Sequence, residues 1–321
     1  ATVFGRITPE QKEALVDALR RGGHYVAMTG DGVNDVLSLK KANLGIAMES
    51  GSAATRGVAD IVLLDDSFGA MVPAFQEGQR IVNGMQGIIR LYLSRIFTAA
   101  MLFTAIAVIG LGTPFVPSNM AMYALLVVGI PTMFMALWAR PKQNVDLSLS
   151  SALYFAIPAA FFATVLGVLF YTGGYLTVIN NWAAYDVSPA QIQQFEQQLG
   201  YTLTDDNMAR AAAANLVGRS AMTGFLIFVG AILINFALPP FKWFAVMNEQ
   251  VPDKRMLAIS GLMIIAYMAI IAIKPLRDFY EMIVLRPQDY LVMVLAAVLW
   301  TVTLRYFYKR RLLERFLQGG Y

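Results

Sequence analysis

The chain has 321 residues, of which 57% are hydrophobic and only 14% charged, and its mean hydropathy is +0.56. Those figures exclude an ordinary soluble domain and point to a polytopic membrane protein. The net charge of +4 is assigned to loops that anchor membrane spans and not to nucleic-acid binding, and the lack of cysteine excludes disulfides, thiolate metal sites and thiol redox chemistry.

The first 70 residues alternate helix and strand. Thr8 is a helix N-cap, with Pro9 at the first helical position and Gln11 at the capping-box spacing. Ala14, Leu15, Ala18 and Leu19 give that helix an apolar stripe, and Gly22-Gly23 ends it. His24 is read as a solvated turn residue. Short apolar runs follow at Tyr25 to Met28, Leu44 to Ala47 and Ile61 to Leu64, with helical segments between them, Val36 to Lys41 among these. This is the rhythm of a parallel sheet whose site lies at the carboxyl ends of its strands. The stretch Met28-Thr29-Gly30-Asp31-Gly32-Val33-Asn34-Asp35 falls there. Its two glycines let the chain approach a ligand closely, and the carboxylates of Asp31 and Asp35 are hard ligands suited to Mg2+ beside a phosphate.

Thr29 to Asp35 resembles, residue for residue, the T-G-D-G-V-N-D box of P-type ATPases, pumps built on a haloacid-dehalogenase-like phosphorylation domain. Lys40 to Met48 is similar to the family's K-K-A-D-I-G-I-A-M, with Asn43 in place of the usual Asp; Ala59 to Asp66 matches A-D-I-V-L-L-D-D; and Phe4 to Lys12 is similar to F-A-R-x-T-P-E-Q-K. The resemblance implies that Asp31 holds the catalytic Mg2+, that Asn34 and Asp35 orient the phosphorylated site, and that Lys12 neutralises phosphoryl charge. Thr29, Gly30 and Gly32 then belong to the phosphate-binding turn.

From Pro73 a helical pattern runs through Arg80, Arg90 and Arg95 into apolar residues up to Leu111, broken in composition only by Gly78, Gly84 and Gly87. A helix of nearly forty residues is roughly 55 to 60 Å long, enough to span a membrane and extend beyond it. The resemblance makes it the stalk. Arg90 and Arg95 are each read either as part of that machinery or as arginines snorkelling to the interface. Six spans are expected, at 90–111, 118–138, 152–173, 219–238, 256–273 and 289–307. Arg80, Arg140, Lys142, Lys242, Lys254, Arg255 and Lys309-Arg310-Arg311 fall on one side, which places both ends in the cytoplasm; Lys274, Arg277 and Arg286 on the other side are accompanied by Asp278, Glu281 and Asp289. In the loop from 175 to 218, Ser188-Pro189 opens a short helix with Ile192, Phe195 and Leu199 on one face, read as lying on the membrane surface, with docking of a partner subunit as the alternative.

Charged and amide groups within spans usually carry function. Where cation pumps of the calcium, sodium and proton types hold ligands, this sequence has Ile96 and Ala99 in the first span and Val127 and Val128 in the second, which departs from a calcium-pump-like pair of sites. The pathway candidates that remain are Arg95, Thr98, Gly129, Pro131, Thr132 and Asn235, with Gly129 and Pro131 expected to unwind the second span.

The resulting expectation is an α/β HAD-like (Rossmannoid) partial phosphorylation domain followed by an all-α six-helix transmembrane bundle. Residues 1–70 form the end of the phosphorylation domain, 71–90 the cytoplasmic stalk, 90–308 the membrane domain and 309–321 a basic tail. The resemblance implies the carboxyl-terminal half of a pump of a bacterial plasma membrane that couples ATP hydrolysis, through an aspartyl phosphate, to transport of a cation, calcium or another metal ion. The chain carries no D-K-T-G box and no T-G-E-S loop, so ATP would be bound elsewhere and the fragment alone is expected to be inactive. Its expected partners are membrane lipid, the transported cation and the amino-terminal half of the pump. Two alternatives stand beside this reading: a non-catalytic scaffold descended from a pump, and a lipid or polyamine pump.

Overall fold

A computed structural model describes residues 4–141, 147–181, 185, 187, 191–193, 196, 205–245 and 253–313. The chain forms two compact units, Ala1–Gly78 and Gln79–Tyr321.

In the first unit, α1 (Pro9–Arg21) starts at the expected box: Thr8 Oγ1 accepts from the Gln11 amide, and the Gln11 side chain accepts from the Thr8 amide at 2.9 Å. The strands β1 (Ala27–Gly30), β2 (Leu44–Met48) and β3 (Ile61–Leu63) form a parallel sheet in the order β1-β2-β3. Helices α2 (Val36–Lys41) and α3 (Ala53–Val58) are the two crossovers, and the register sets Gly30 against Ala47 and Ala47 against Val62. Strand β1 begins two residues later than the apolar run, because the Val26 amide is held by the Asn43 side chain at 3.0 Å and Tyr25 stands 81% exposed. The core of this unit is small: Val16, Leu39, Ile46, Ala47 and Leu63.

The second unit contains most of α4 (Met71–Ile109), a continuous helix of 39 residues. Gly84 and Gly87 leave it unbroken and serve packing instead. A Cβ at Gly84 would sit 3.1 Å from Ala139 Cβ, and one at Gly87 would sit 3.4 Å from Met135 Sδ. The chain then turns through Gly110 at φ +76, a conformation that favours glycine. The second span comprises α5 (Pro117–Ala124), a π-helical turn at Leu125–Gly129, and α6 (Ile130–Trp138). The segment that Gly129 and Pro131 were expected to unwind is therefore widened and remains helical.

The remaining helices are α7 (Leu149–Asn180), α8 (Asp206–Ala237), α9 (Arg255–Ala272), the short α10 (Lys274–Phe279) and α11 (Pro287–Lys309). Six helices among the described residues are long and apolar enough to cross a membrane, which makes this an integral membrane protein. Helices α7 and α8 are longer than the expected spans 152–173 and 219–238 and take up much of the connecting stretch. In that stretch Ser188, Pro189, Phe195 and Leu199 lie outside the described residues, as does Lys142.

Helix α8 is the centre of the bundle: its apolar window is 89% buried, against 28% to 44% in the other five spans. Small residues allow this, since without a solvent-driven hydrophobic force membrane helices associate by close packing. A Cβ at Gly174 of α7 would lie 3.2 Å from Gly218 Cα of α8, and one at Gly230 would lie 2.5 Å from Val127 Cγ1 of the π turn. Cross-helix hydrogen bonds add direction. Asn235 Nδ2 donates to Ser260 Oγ of α9 at 2.8 Å, and Tyr308 Oη of α11 donates to the Phe155 carbonyl of α7 at 2.5 Å.

Candidate functional site

The turn after β1 is built by close backbone contacts. Gly30 ends the strand where a Cβ would stand 2.5 Å from Asp35 Cβ, so only glycine lets the turn fold back on itself. Gly32 then leads into a 3-10 turn at Val33–Asp35 that runs on into α2. The loop before α3 supports the turn from below. The Ser52 amide donates to the Asp31 carbonyl at 2.8 Å, and the buried Thr55 donates its Oγ1 proton to the Gly32 carbonyl at 2.9 Å. A Cβ at Gly51 would sit 2.8 Å from the Asp31 carbonyl oxygen.

On this frame the carboxylate of Asp35 is nearly buried. Its Oδ1 accepts from Lys12 Nζ at 2.7 Å, its Oδ2 accepts from the Gly32 amide at 3.4 Å, and its carbonyl accepts from Ser38 Oγ at 2.9 Å. Lys12 comes from α1, so 23 residues of chain separate the two charges. Asp31 and Asn34 are exposed at the mouth of the turn, beyond the carboxyl end of β1. Asp31 makes no side-chain hydrogen bond or ion pair to a described residue. Chemically the arrangement offers two carboxylates, one ammonium group and a bend of backbone around Thr29, Gly30 and Gly32.

Mg2+ takes oxygen ligands, keeps several waters and needs only one or two protein carboxylates beside a phosphate. Among the described residues no group of three or more His, Cys, Asp or Glu side chains converges on one point, and the pair Asp31 and Asp35 supplies oxygen alone. That donor set fits Mg2+ and does not suit a softer metal.

Residues that reading the sequence missed are Gly51, Ser52 and Thr55. Non-local hydrogen bonds mark Ser52 and Thr55, and a close approach to the Asp31 carbonyl marks Gly51, although Ser52 with Thr55 three residues on is a helix-capping spacing. Two motif residues hold strands in place. Asp60 Oδ2 accepts from the Gly45 amide at 2.8 Å, and the Asn43 side chain accepts from Val26. Because the Asn43 contact uses one oxygen, an amide there does what a carboxylate would do. Hydrogen bonds from the Ser50 hydroxyl and amide hold the Asp66 carboxyl below its ordinary range.

In the membrane helices, Arg95 and Thr98 of α4 line a cavity of about 20 Å³ together with Ser94, Tyr123, Val127 and Trp300. Arg95 thus points into the bundle. Arg90 is buried as well, with Nη2 3.2 Å from Ser151 Oγ and its guanidinium 5.4 Å from the Phe155 ring, so it packs against α7 and does not snorkel. Thr132 donates to the Gly129 carbonyl at 3.1 Å; like Gly129 and Pro131 it does not line this cavity. Asn235 is committed to Ser260 and is not brought to Arg95.

No family model matches the chain. Among curated proteins, a "Calcium-transporting ATPase CtpE" of Mycolicibacterium smegmatis is 42% identical over 146 residues, 42% of this chain and 18% of that protein. The protein of the same name from Mycobacterium bovis is 35% identical over 206 residues, 61% of this chain and 25% of its own length. "Calcium-transporting ATPase 3, endoplasmic reticulum-type" of Arabidopsis thaliana is 40% identical over 130 residues, 40% of this chain and 13% of that protein. The chain thus matches a quarter or less of the length of these relatives. Over the matched part, the chain is thus similar to cation-transporting P-type ATPases.

Proposed function

We propose that this chain is the carboxyl-terminal part of a pump that couples ATP hydrolysis, through an aspartyl phosphate, to cation transport. Residues 1–70 then complete a HAD-like phosphorylation domain, 71–90 form its stalk, 90–308 the transport domain and 309–321 a cytoplasmic tail. The observation that carries this reading is the Lys12–Asp35 pair, 2.7 Å apart at the carboxyl end of a parallel sheet beside the exposed Asp31. A protein with no phosphate to handle gains little from that constellation.

In this reading Asp31 would hold Mg2+, and Asp35 would act with Asn34 in orienting the phosphorylated site. Bound there, Mg2+ would supply positive charge against the phosphoryl oxygens. Lys12, held by Asp35, presents its ammonium group to the same oxygens. Asn34 orients the phosphorylated aspartate of the adjoining segment, and Thr29, Gly30 and Gly32 bring backbone close to the phosphate. ATP binds outside this chain, and the chain alone is inactive.

Calcium is the cargo its named relatives suggest. Among the described residues no acidic side chain lines the inner cavity to balance a calcium ion, and a pump for a lipid or a polyamine stands as a second reading. Vesicles containing the longer polypeptide, with this chain and a D-K-T-G box, separate these cases. ATP-driven uptake of calcium that is lost in Asp31→Asn supports the cation pump. ATP hydrolysis stimulated only by a lipid or polyamine selects the second reading, and no phosphoenzyme at all leaves a non-catalytic scaffold.

A further inference from the structure

We infer that the cavity around Arg95 is a binding site for one small monovalent anion of halide size. The inference goes beyond the pumping reading and does not rest on it.

The cavity lies among α4, the π turn, α7, α8 and α11. Arg95 is about 21 Å along the helix from the end of α4 at Ile109, and Trp300 is about 14 Å from the end of α11 at Lys309. Both therefore lie well inside the bundle. Arg95 Nε is buried and meets no protein acceptor, and the same holds for Trp300 Nε1 on a residue 1% exposed. Both groups can only donate, and both border the same cavity. Tyr123 borders it too and is 4% exposed. Two buried donors on one cavity, neither of them bonded to a protein acceptor, are costly unless something in the cavity accepts.

Charge decides between a water and an anion. The acidic residues of the six long helices are Glu77, Asp206 and Asp289, and none of them lines the cavity. Arg95 brings a guanidinium cation to a lining that holds no carboxylate, so the site carries one uncompensated positive charge. The hydroxyls of Ser94 and Thr98 do not change the sign, since each donates its proton to a carbonyl of its own helix at 2.7 Å. A water would satisfy the N–H groups but leave the charge. A single halide would satisfy both. About 20 Å³ has room for one particle near the size of a water molecule and excludes carboxylates and phosphates.

The test uses the full chain in lipid nanodiscs, with bromide and gluconate compared at constant ionic strength so that general screening cancels. The unfolding midpoint is expected to rise saturably with bromide and not with gluconate. Trp300→Phe removes the N–H together with part of the ring and should weaken the bromide response roughly tenfold. Arg95→Gln should abolish it, and Arg95→Lys should retain part. Crystals grown in bromide should show anomalous density between Arg95 and Trp300. Equal responses to bromide and gluconate, or a bromide response unchanged in Trp300→Phe, would overturn the inference and leave a water at the site.

Discussion

Lys12 Nζ on α1 lies 2.7 Å from Asp35 Oδ1 at the head of α2, and this contact joins the first helix of the chain to the turn that follows the first strand. Asp35 is nearly buried while Lys12 is about one-third exposed, so the two ends of the pair are not equivalent. Removing the lysine strands a carboxylate that the fold has taken from water, whereas removing the carboxylate leaves a lysine that can turn outward.

Lys12→Ala is therefore expected to loosen the turn more than Asp35→Asn does. The loss should be about 1 to 2 kcal/mol for the lysine variant and under about 1 kcal/mol for the asparagine variant, after allowing for the exposed side of the pair. Hydrogen exchange of the amides from 29 to 36 in the full chain measures this directly. Equal protection in the two variants would contradict the asymmetry.

Gly230 and Val127 form a second test. Gly230→Ala places a methyl group 2.5 Å from Val127 Cγ1 and should destabilise the bundle by about 1 to 3 kcal/mol. Val127→Ala opens room for it, so the double variant should be more stable than the sum of the single effects. A double-mutant cycle on unfolding in detergent reads that coupling.

Asn235 is tied to Ser260 across α8 and α9 at 2.8 Å. Its replacement by alanine should cost about 1 kcal/mol of stability, in the usual range for polar contacts between membrane helices. Transport affinity, measured in the longer protein, should stay unchanged. A large shift in affinity with normal stability would return Asn235 to the pathway.

Asp253 gives a dependence on pH. The Arg255 guanidinium beside it holds its carboxyl below the ordinary value of 3.8, helped by the Arg255 amide and by Arg140. A carboxyl with a lowered folded pKa stabilises above its unfolded value and loses that contribution as pH falls through the folded one. The stability difference between the parent and Asp253→Asn should thus be flat above about pH 5 and shrink below pH 4. Its size should be under about 1 kcal/mol, because Arg255 is 42% exposed. Thermal unfolding between pH 3 and 7 follows it.

Local signals carried much of the fold. The Thr8–Gln11 box, the glycine stop at Gly22 and the strand rhythm all act within a few residues, and they reappear in the structure within about two residues of their expected places. Span positions were legible for the same reason, since apolar length is a local property. Facing direction was not. Helix α8 is buried nearly all round, so no stripe in its sequence distinguishes Asn235 from its neighbours, and its partner Ser260 lies 25 residues away. Arg95 could be read as anchor or as lining because both need the same residue at the same depth. Thr55 sits beneath the turn through a bond to Gly32 that spans 23 residues, and no pattern in the sequence announces it.

The π turn at Leu125–Gly129 bears on how the second span is to be compared with any straight helix. Each residue of an α-helix advances by about 100°, and a π turn fits an extra residue into one revolution. Side chains after Gly129 are therefore out of phase with those before Leu125. A substitution scan along this span should show a 3.6-residue rhythm from Pro117 to Ala124, a slip of one position, and then the same rhythm from Ile130 to Trp138. Thr132 and Tyr123 then belong to two separate angular frames, and a ligand-binding pattern carried over from an unbroken helix would be matched to the wrong side chains on one side of the slip.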